Sequence, residues 1–312
     1  LACDVDKACR ENYKLNYGIE PHPDVRKLLP SDIEGDIDII VGGFPCQAFS
    51  VAGYRQGFDD EKGRGNLYFE LERIMKDKRP QIVFLENVKN LVGHDKGRTF
   101  RVIRRYMEDL GYKIHHKVMN ACEYGGIHQN RERIYIVGFL DAGMSDCFHF
   151  PDEIKLETTI REIFDFERKV DDRYYYKEDA YMFGDLTRDM TSDETVYQWR
   201  RKYVRENKSN LCPTLTANMG TGGHNVPLIL TPHGIRKLTP KECFMVQGFD
   251  RRFELPESVA NSHLYKQAGN SVVVPVIRRI ASSIMSAIKL EEISTKIPRI
   301  ITLDDFTTGR QN

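Results

Sequence analysis

Two residues that could carry out nucleophilic and acid–base chemistry each follow a short apolar segment. Cys46 follows a Gly-Gly-Phe-Pro turn that ends the β-branched run 37–41. Glu86 directly follows a second apolar run, residues 82–85. A rigid turn near solvent suits a nucleophilic thiolate, and a positioned carboxyl group can donate a proton to the same ligand. The two residues together therefore indicate a nucleophile and a proton donor in one crevice.

Each residue also has a simpler interpretation. A single cysteine is more often a small buried hydrophobic residue, and a carboxylate at the end of a buried strand is as often paired or capping a helix. The position of both residues changes this balance, because ligands bind at the carboxyl ends of strands in open α/β sheets. Two neighbouring strands would bring a nucleophile and a proton donor to one edge of the sheet.

Two arginines stand at alternate positions in the segment 129–133. Alternate residues of a strand point to the same face, so Arg131 and Arg133 would present their guanidinium groups together. Guanidinium groups donate paired hydrogen bonds to anionic or carbonyl-bearing ligands. A charge run exposed to solvent is the ordinary alternative for such a segment.

A sheet of buried strands would position these side chains. Apolar runs that alternate with stretches of helical periodicity are typical of a parallel sheet covered by helices on both faces. We expect strands over residues 37–41, 81–85, 113–119 and 133–139, and helices over residues 68–75, 99–110 and 272–288. The pattern predicts an α/β doubly wound domain whose strand ends form a crevice.

The sequence changes character beyond Pro151. Residues 168–208 are irregular and rich in charge, and they include the basic, aromatic stretch 199–205. The glycine- and asparagine-rich segment 217–225 is poorly suited to a core and well suited to a binding loop. We therefore expect a second, smaller domain that contributes to ligand binding.

Composition excludes several classes of protein. With 312 residues, the chain is long enough for about two domains. Lys and Arg together number 46, as do Asp and Glu, so any nucleic-acid binding must depend on a local patch. No apolar run approaches the roughly 20 residues that cross a bilayer, so we expect no membrane association. The seven cysteines lack ligand spacing, which argues against a metal site or a disulfide framework and favours the cytoplasm.

Five segments together resemble the motifs of the DNA (cytosine-5)-methyltransferase family of prokaryotic restriction–modification systems, and they occur in the family's order. They are residues 43–50, 86–88, 129–133, 236–249 and 267–272. The resemblance extends to about residue 290, and it disfavours the alternative of an unrelated Rossmann-like enzyme with a reactive cysteine. It implies a Rossmann-like, S-adenosylmethionine-dependent methyltransferase domain with a smaller target-recognition domain.

The resemblance assigns catalytic roles to four residues. Cys46 corresponds to the nucleophile that adds to carbon 6 of a cytosine flipped out of double-stranded DNA. Glu86 matches the carboxyl group that holds N3 and the exocyclic amine. Arg131 and Arg133 match the arginines that bind the base carbonyl and steady the loop. The expected activity is sequence-specific transfer of a methyl group from S-adenosylmethionine to carbon 5.

The resemblance also implies a cofactor site formed from separate parts of the chain. Residues expected to contact S-adenosylmethionine are Asp4, Val5, Asp24, Val25, Pro45, Asn270 and Val272. The family's first motif, a glycine-rich turn, would precede Asp4, where the sequence has only three residues. We therefore expect a missing N-terminal segment or a complementing subunit. The alternative function is a DNA-binding fragment or subunit without turnover.

By resemblance, the chain divides into four parts. Residues 1–167 form the catalytic, cofactor-binding domain, 168–256 the target-recognition domain, 257–290 a return to the catalytic domain, and 291–312 a tail. The expected partner is double-stranded DNA, bound by a monomer. The residues expected at this interface are Gln47, Ser50, Arg200, Arg201, Lys202, Arg205, Thr216, Gly222, Gly223 and Asn225. The alternative for the basic residues after Trp199 is an exposed helix face that binds nothing.

Overall fold

The computed structural model of the protein describes residues 1–44, 67–200, 202–220 and 226–296. Its helices are α1 (Lys7–Tyr17), α2 (Leu67–Lys78), α3 (Arg98–Asp109), α4 (Ala121–Tyr124), α5 (Ala142–Cys147), α6 (Phe183–Asp189), α7 (Pro240–Val246), α8 (Asn261–Asn270) and α9 (Val274–Lys296). Its strands are β1 (Ile39–Gly43), β2 (Ile82–Val88), β3 (Lys113–Asn120), β4 (Gln129–Asn130), β5 (Glu132–Phe139), β6 (Tyr197–Trp199), β7 (Val204–Glu206), β8 (Cys212–Pro213), β9 (Leu228–Thr231) and β10 (Gly234–Lys237).

Strands β1, β2, β5 and β3 lie side by side, in this order, in a central sheet. β1 and β2 run parallel, whereas β5 runs antiparallel to both β2 and β3. The strands occur where the sequence predicts them, but the prediction of a wholly parallel sheet is wrong at β5. The connection between β3 and β5, residues 121–131, is too short for the crossover that parallel neighbours require. As a result, the amino end of β5 lies beside the carboxyl end of β2.

Apolar side chains cover the central sheet on both faces. On one face, Val83 and Leu85 of β2 pack with Tyr68 of α2 and Ile103 of α3. On the other face, Phe84 belongs to a core that includes residues of α9. Successive side chains of β2 therefore enter different cores, as in a strand that is buried on both sides. The predicted α/β architecture is confirmed.

Helix α9 forms part of this core. By length and composition alone, the stretch Asn261–Glu292 is apolar enough to cross a membrane. The chain interrupts this stretch between α8 and α9. Val276, Ile280 and Ile284 of α9 are buried in the core beneath the central sheet. Packing against the sheet therefore accounts for the apolar face of α9.

A second sheet has the strand order β10–β9–β6–β7 and is antiparallel throughout. The core that contains Ile229 of β9 also includes Ile160 and Phe166, which precede residue 168, and Tyr265 of α8. Side chains from both sides of the proposed domain boundaries thus share one core. The boundaries themselves stay predictions.

The basic stretch after Trp199 is a β-hairpin. β6 pairs antiparallel with β7, and the Arg200 amide donates to the Tyr203 carbonyl at 2.9 Å across the turn. The alternative of an exposed helix face is therefore wrong about the secondary structure of this stretch. Its basic side chains Arg200, Lys202 and Arg205 are exposed.

Candidate active site

Three strand ends meet at one edge of the central sheet. Gly43 at the end of β1 is in register with Glu86 near the end of β2. Val88 at the end of β2 is in register with Arg133 near the start of β5. A Cβ atom built on Gly43 would lie 3.5 Å from Oε2 of Glu86, so the ends of β1 and β2 are in close contact. We call this edge the catalytic edge.

The predicted nucleophile lies just beyond the end of β1 in the sequence. The described residues stop at Phe44 and resume at Leu67, so Cys46 lies outside them. The same is true of three neighbours with predicted cofactor or DNA contacts, Pro45, Gln47 and Ser50. The chain therefore approaches Cys46 from the catalytic edge.

Glu86 and Arg133 form an ion pair at the catalytic edge. Nε of Arg133 lies 3.0 Å from Oε1 of Glu86, and the two side chains are only 14% and 18% exposed. Burial raises the pKa of Glu86 above its ordinary value, and the charges of Arg133 and Arg131 oppose this rise. A carboxyl group with a raised pKa holds its proton more tightly, which favours a role as proton donor. The structure thus brings the predicted acid into contact with one predicted arginine.

Arg131 binds backbone carbonyl groups. The residue is 3% exposed. Its Nη1 donates to the Leu215 carbonyl at 2.9 Å, and its Nη2 donates to the carbonyls of Gly269 and Ser271 at 3.2 and 2.8 Å. Its Nε has no hydrogen-bond partner in the described part of the chain. Burial, together with the nearby charge of Arg133, lowers the pKa of Arg131 to about 10, so the group stays charged at neutral pH.

The two arginines therefore have different surroundings at the same edge. Arg133 contacts the Glu86 carboxylate, whereas Arg131, which directly precedes β5, binds the Leu215 carbonyl and the carbonyls at the end of α8. Both guanidinium groups act on the charge of Glu86, as their sequence spacing suggests. The unsatisfied Nε of Arg131 is a buried donor that a ligand could use.

Asn87 makes a contact that the sequence did not reveal. Its Nδ2 donates to the Phe44 carbonyl at 2.7 Å, and its Oδ1 accepts from the Val88 amide at 2.8 Å. Asn87 is 3% exposed and Phe44 is 6% exposed. The motif at 86–88 marks Asn87 in the sequence, but nothing there identifies its partner. The side chain connects β2 to the last described residue before Cys46.

Two buried glutamines support the same region. Nε2 of Gln129 donates to Oε1 of Gln247 at 3.0 Å and to the Val246 carbonyl at 3.1 Å. Oε1 of Gln129 accepts from the Leu215 amide at 3.3 Å. Both glutamines belong to motifs noted in the sequence, which assigned no role to either. Together with Arg131, Gln129 satisfies both backbone polar groups of Leu215.

Asp4 and Asp24, two predicted cofactor residues, lie on neighbouring segments. Cys3 and His22 form a parallel backbone bridge, and the Asp4 amide donates to the His22 carbonyl at 3.0 Å. Burial raises the pKa of the Cys3 thiol, and the charges of Asp24 and Asp4 add to this effect. Both carboxylates are therefore close to one thiol, although 20 positions separate them in the sequence.

The side chains in this region suit a nucleoside. Asp4 is exposed, and its Oδ1 accepts a hydrogen bond from the backbone amide of Asp6 at 2.8 Å. Asp24 binds Arg26 through both carboxylate oxygens, and this bonding lowers the pKa of Asp24 to about 2. Val5, which is 68% exposed, adds apolar surface beside Asp4, and Val25 is half-buried next to Asp24. Carboxylates beside apolar surface can bind sugar hydroxyls and a flat ring.

The remaining predicted cofactor residues lie where α8 ends. Asn270 is the exposed last residue of α8, and Val272 is half-buried two positions later. Arg131 binds the carbonyls of the residues on both sides of Asn270. Lys266 of α8 pairs with Asp6 at 2.7 Å, which ties α8 to the segment of Asp4 and Val5. The structure therefore links the two described parts of the predicted cofactor site.

The predicted DNA contacts occur on two surfaces of the described residues. One is the β6–β7 hairpin, with its exposed basic side chains. The other is the segment around Thr216, which is exposed and lies against α8. A Cβ atom built on Gly269 would lie 2.2 Å from the carbonyl carbon and oxygen of Thr216. Four further predicted residues lie outside the described ranges: Arg201, Gly222, Gly223 and Asn225.

Comparison with known proteins gives consistent similarities in sequence and fold. The sequence model of the family described as "C-5 cytosine-specific DNA methylase" matches residues 1–286. The chain is 59% identical over 285 residues to the Type II methyltransferase M.Bsp6I of Bacillus sp. (strain RFL6), covering 91% of this chain and 90% of that protein. It is 40% identical over 305 residues to the Type II methyltransferase M1.ScrFI of Lactococcus lactis subsp. cremoris, covering 93% and 72%. Its fold is similar to that in the crystal structure of S. pombe Dnmt2 methyltransferase, with a TM-score of 0.67, 19% identity, and coverage of 94% and 91%.

Proposed function

Because the chain belongs to the C-5 cytosine-specific DNA methylase family, we propose that it methylates carbon 5 of a flipped-out cytosine through a covalent bond between that base and Cys46. The observation that carries this proposal is the contact between Glu86 and Arg133 beside the end of β1. The family and its Type II methyltransferase relatives support an enzyme over the alternative of a DNA-binding fragment without turnover.

Cys46 acts as the nucleophile in this proposal. Its thiolate attacks carbon 6 of the cytosine ring face-on, and the base must leave the duplex to permit this approach. The new S–C6 bond consumes the 5,6 double bond and makes carbon 5 nucleophilic. After carbon 5 has accepted its methyl group, a base removes the carbon 5 proton. The electron pair of that C–H bond restores the double bond and expels the thiolate.

Glu86 holds the proton at N3 of the cytosine while the covalent bond forms. Its raised pKa favours the protonated form of the carboxyl group, and the negative charge that the thiolate adds to the ring strengthens this hydrogen bond. Arg133 orients the carboxyl group at 3.0 Å. The guanidinium group of Arg133 is suited to the carbonyl oxygen of the base. Arg131 offers only its Nε, which has no partner among the described residues, because its Nη groups bind backbone carbonyls.

The cofactor site lies around Asp4, Asp24 and the end of α8. Bound S-adenosylmethionine supplies an electrophilic methyl group. The carboxylates of Asp4 and Asp24 would accept hydrogen bonds from ribose hydroxyls, Val5 would contact the adenine ring, and Asn270 would close the pocket from α8. The bridge between Cys3 and His22 supports this arrangement, because it holds both carboxylates near one thiol.

An additional β-strand completes the free edge of β1 in our proposal. β1 pairs with β2 on one side and has no strand partner on its other side among the described residues. Its side chains Ile39 and Val41 are 42% and 61% exposed. Such an apolar edge is a template for strand pairing. A preceding segment or a complementing subunit with the glycine-rich turn would supply this strand, and its addition should strengthen S-adenosylmethionine binding in calorimetry.

The biological role proposed is modification in a restriction–modification system in the cytoplasm. The Type II methyltransferases that are 59% and 40% identical to this chain support that role. The substrate is double-stranded DNA, and the segment around Thr216 and the β6–β7 hairpin recognise it. A monomer suffices, because the reaction modifies one base at a time.

Covalent trapping tests the proposed nucleophile. Wild-type protein with S-adenosylmethionine and duplex DNA containing 5-fluorocytosine should form a complex that survives denaturing electrophoresis. The reason is that a base can remove a proton from carbon 5 but cannot remove a fluorine, so the bond to Cys46 persists. Cys46→Ser should abolish this complex while the circular dichroism spectrum stays unchanged. Cys147→Ser, on α5, should trap as well as wild type. A trapped complex that persists in Cys46→Ser would show that another residue is the nucleophile.

A further inference from the structure

The hydrogen bond from Asn87 to Phe44 is placed to control where the Cys46 segment leaves the sheet. Nδ2 of Asn87 donates to the Phe44 carbonyl at 2.7 Å, and both residues are buried. The other end of the same amide accepts from the Val88 backbone amide at 2.8 Å. Both ends of the Asn87 side chain are therefore satisfied, and its orientation is fixed.

Phe44 is also held through its ring. The ring packs edge-on against Tyr68 of α2, with the ring centroids 5.3 Å apart. The Tyr68 hydroxyl in turn donates to the Ile103 carbonyl of α3 at 3.0 Å. Packing thus fixes the side chain of Phe44, and the Asn87 hydrogen bond fixes its carbonyl group. The backbone direction after Phe44 depends on this carbonyl.

We propose that Asn87 is a positioning residue for the nucleophile: it fixes the backbone at Phe44 so that Cys46 and Glu86 act on the same cytosine. This inference rests on the proposed function, in which Cys46 is the nucleophile. Cys46 is two residues beyond Phe44, and two extended residues span at most about 7 Å. Cys46 is thus joined to Phe44 by a very short length of chain, and the direction of the Phe44 carbonyl sets where that length begins.

Asn87 is suited to this role because it is adjacent to Glu86 in β2. The same strand carries the acid and the group that anchors the nucleophile's segment. Any shift of β2 moves both together, so their separation is preserved. A residue of another element would not give this coupling.

Substitution of Asn87 tests the proposal in the full chain. Asn87→Ala removes the donor, and Asn87→Asp replaces it with a group of nearly the same shape. Displacement of reacting groups by about 1 Å can reduce a rate about 100-fold. We therefore expect both variants to lower kcat and the rate of trapping by 5-fluorocytosine DNA roughly 10- to 100-fold, with KM for DNA changed less than about twofold. Asn90→Ala, an exposed asparagine three positions later, is the matched control and should behave as wild type.

A pH profile separates positioning from a general loss of structure. A protonated carboxyl group can donate to the Phe44 carbonyl, whereas an ionised one cannot. The kcat of Asn87→Asp relative to wild type should therefore rise as the pH falls. The same ratio for Asn87→Ala should stay flat. The charged groups that face this site, Glu86, Arg131 and Arg133, are present in wild type and in both variants, so the comparison with Asn87→Ala isolates the effect of the new carboxyl group.

Several outcomes would contradict the proposal. Folded variants with unchanged kcat would show that the hydrogen bond does not position the nucleophile. A loss of activity that only matches the unfolded fraction in urea titrations, or variants that do not fold at all, would make Asn87 a structural residue. A third outcome separates this inference from the proposed function. If wild type is trapped, Cys46→Ser is not, and the Asn87 variants react at normal rates, this inference is overturned while the proposed function stands.

Discussion

Glu86 is subject to two opposing influences at the catalytic edge. Burial favours its neutral form, and the guanidinium group of Arg133 at 3.0 Å favours its charged form. Burial is the larger influence, because the pKa of Glu86 is raised overall. The carboxyl group therefore takes up a proton more readily in the folded chain than in water, which affects both the reaction and the stability of the protein.

The kinetic consequence appears in Glu86→Gln. The amide keeps the shape of the side chain but cannot transfer a proton to N3, so the variant should bind DNA as wild type does and react more slowly. A positioned acid contributes about 10²–10⁴ in rate, and we expect a loss of kcat of about that size. Single-turnover methylation and a DNA-binding titration measure the two quantities. Equal losses in both would indicate a structural carboxylate.

The stability consequence appears as a pH dependence. A carboxyl group whose pKa is raised on folding stabilises the folded protein at low pH. This stability is lost as the pH rises from the ordinary pKa of the group, about 4.5, through its raised pKa. Wild type should therefore lose free energy of unfolding relative to Glu86→Gln across that range. Urea titrations at several pH values measure the difference. A difference of the opposite sign for Glu86→Gln would contradict this prediction.

The sequence predicted the identity of the charged residues at the catalytic edge better than their contacts. The positions of Glu86 and Arg133 near strand ends could be predicted from apolar runs, although the expected parallel sheet did not place the two side chains together. The partners of Arg131 could not, since they are carbonyl groups of residues 84 to 140 positions later in the chain. Every residue carries a carbonyl group, so no side-chain type marks these partners in the sequence. The same reason hid the contact from Asn87 to Phe44.

At the scale of elements, the reversed direction of β5 brings the arginines to the catalytic edge. In a wholly parallel sheet, the start of β5 would lie at the opposite edge, far from the end of β2. The apolar pattern predicted where β5 lies but could not give its direction, because a buried strand has the same composition in either direction. The connection of residues 121–131 contained the missing information in its length.

Gly269 is the element-scale contact most sensitive to substitution. A Cβ atom there would lie 2.2 Å from the Thr216 backbone and 2.7 Å from the Ala217 nitrogen. Gly269→Ala should therefore push the segment around Thr216 away from α8 and lower the free energy of unfolding by roughly 1–3 kcal/mol. Chemical denaturation measures this loss. Gly184→Ala is the control, since a Cβ atom at Gly184 meets nothing within 4 Å. If the free energy of unfolding of Gly269→Ala were unchanged, α8 and the segment around Thr216 could move apart without loss of stability, and the prediction would be wrong.

At the scale of the whole molecule, a neutral chain must bind a polyanion. Its 46 basic and 46 acidic residues cancel, so attraction to DNA depends on where the basic groups lie. The β6–β7 hairpin presents Arg200, Lys202 and Arg205 together, all exposed. A hairpin can project such side chains towards a phosphate backbone, and the mixed charges elsewhere reduce binding to other surfaces.

The hairpin can be tested through the salt dependence of DNA binding. If these side chains contact phosphates, alanine at Arg200, Lys202 or Arg205 should weaken binding to all duplexes similarly. Each lost contact should reduce the slope of log K against log salt by about 0.9. Arg105→Ala, on α3 with a side chain that is 83% exposed, is the control and should leave the slope unchanged. An unaltered slope in the hairpin variants would remove these residues from the DNA interface.

The bonds from Arg131 to main-chain oxygens have a consequence for how such a protein can diversify. The carbonyl of Leu215 is an acceptor whatever amino acid occupies that position, so the joint that Arg131 makes with the segment around Thr216 does not depend on the side chains of that segment. If this segment reads DNA bases as we propose, new base preferences can arise by sequence change around Thr216 without loosening this joint. The same joint would accept the corresponding segment of a relative, provided that its backbone follows the same path.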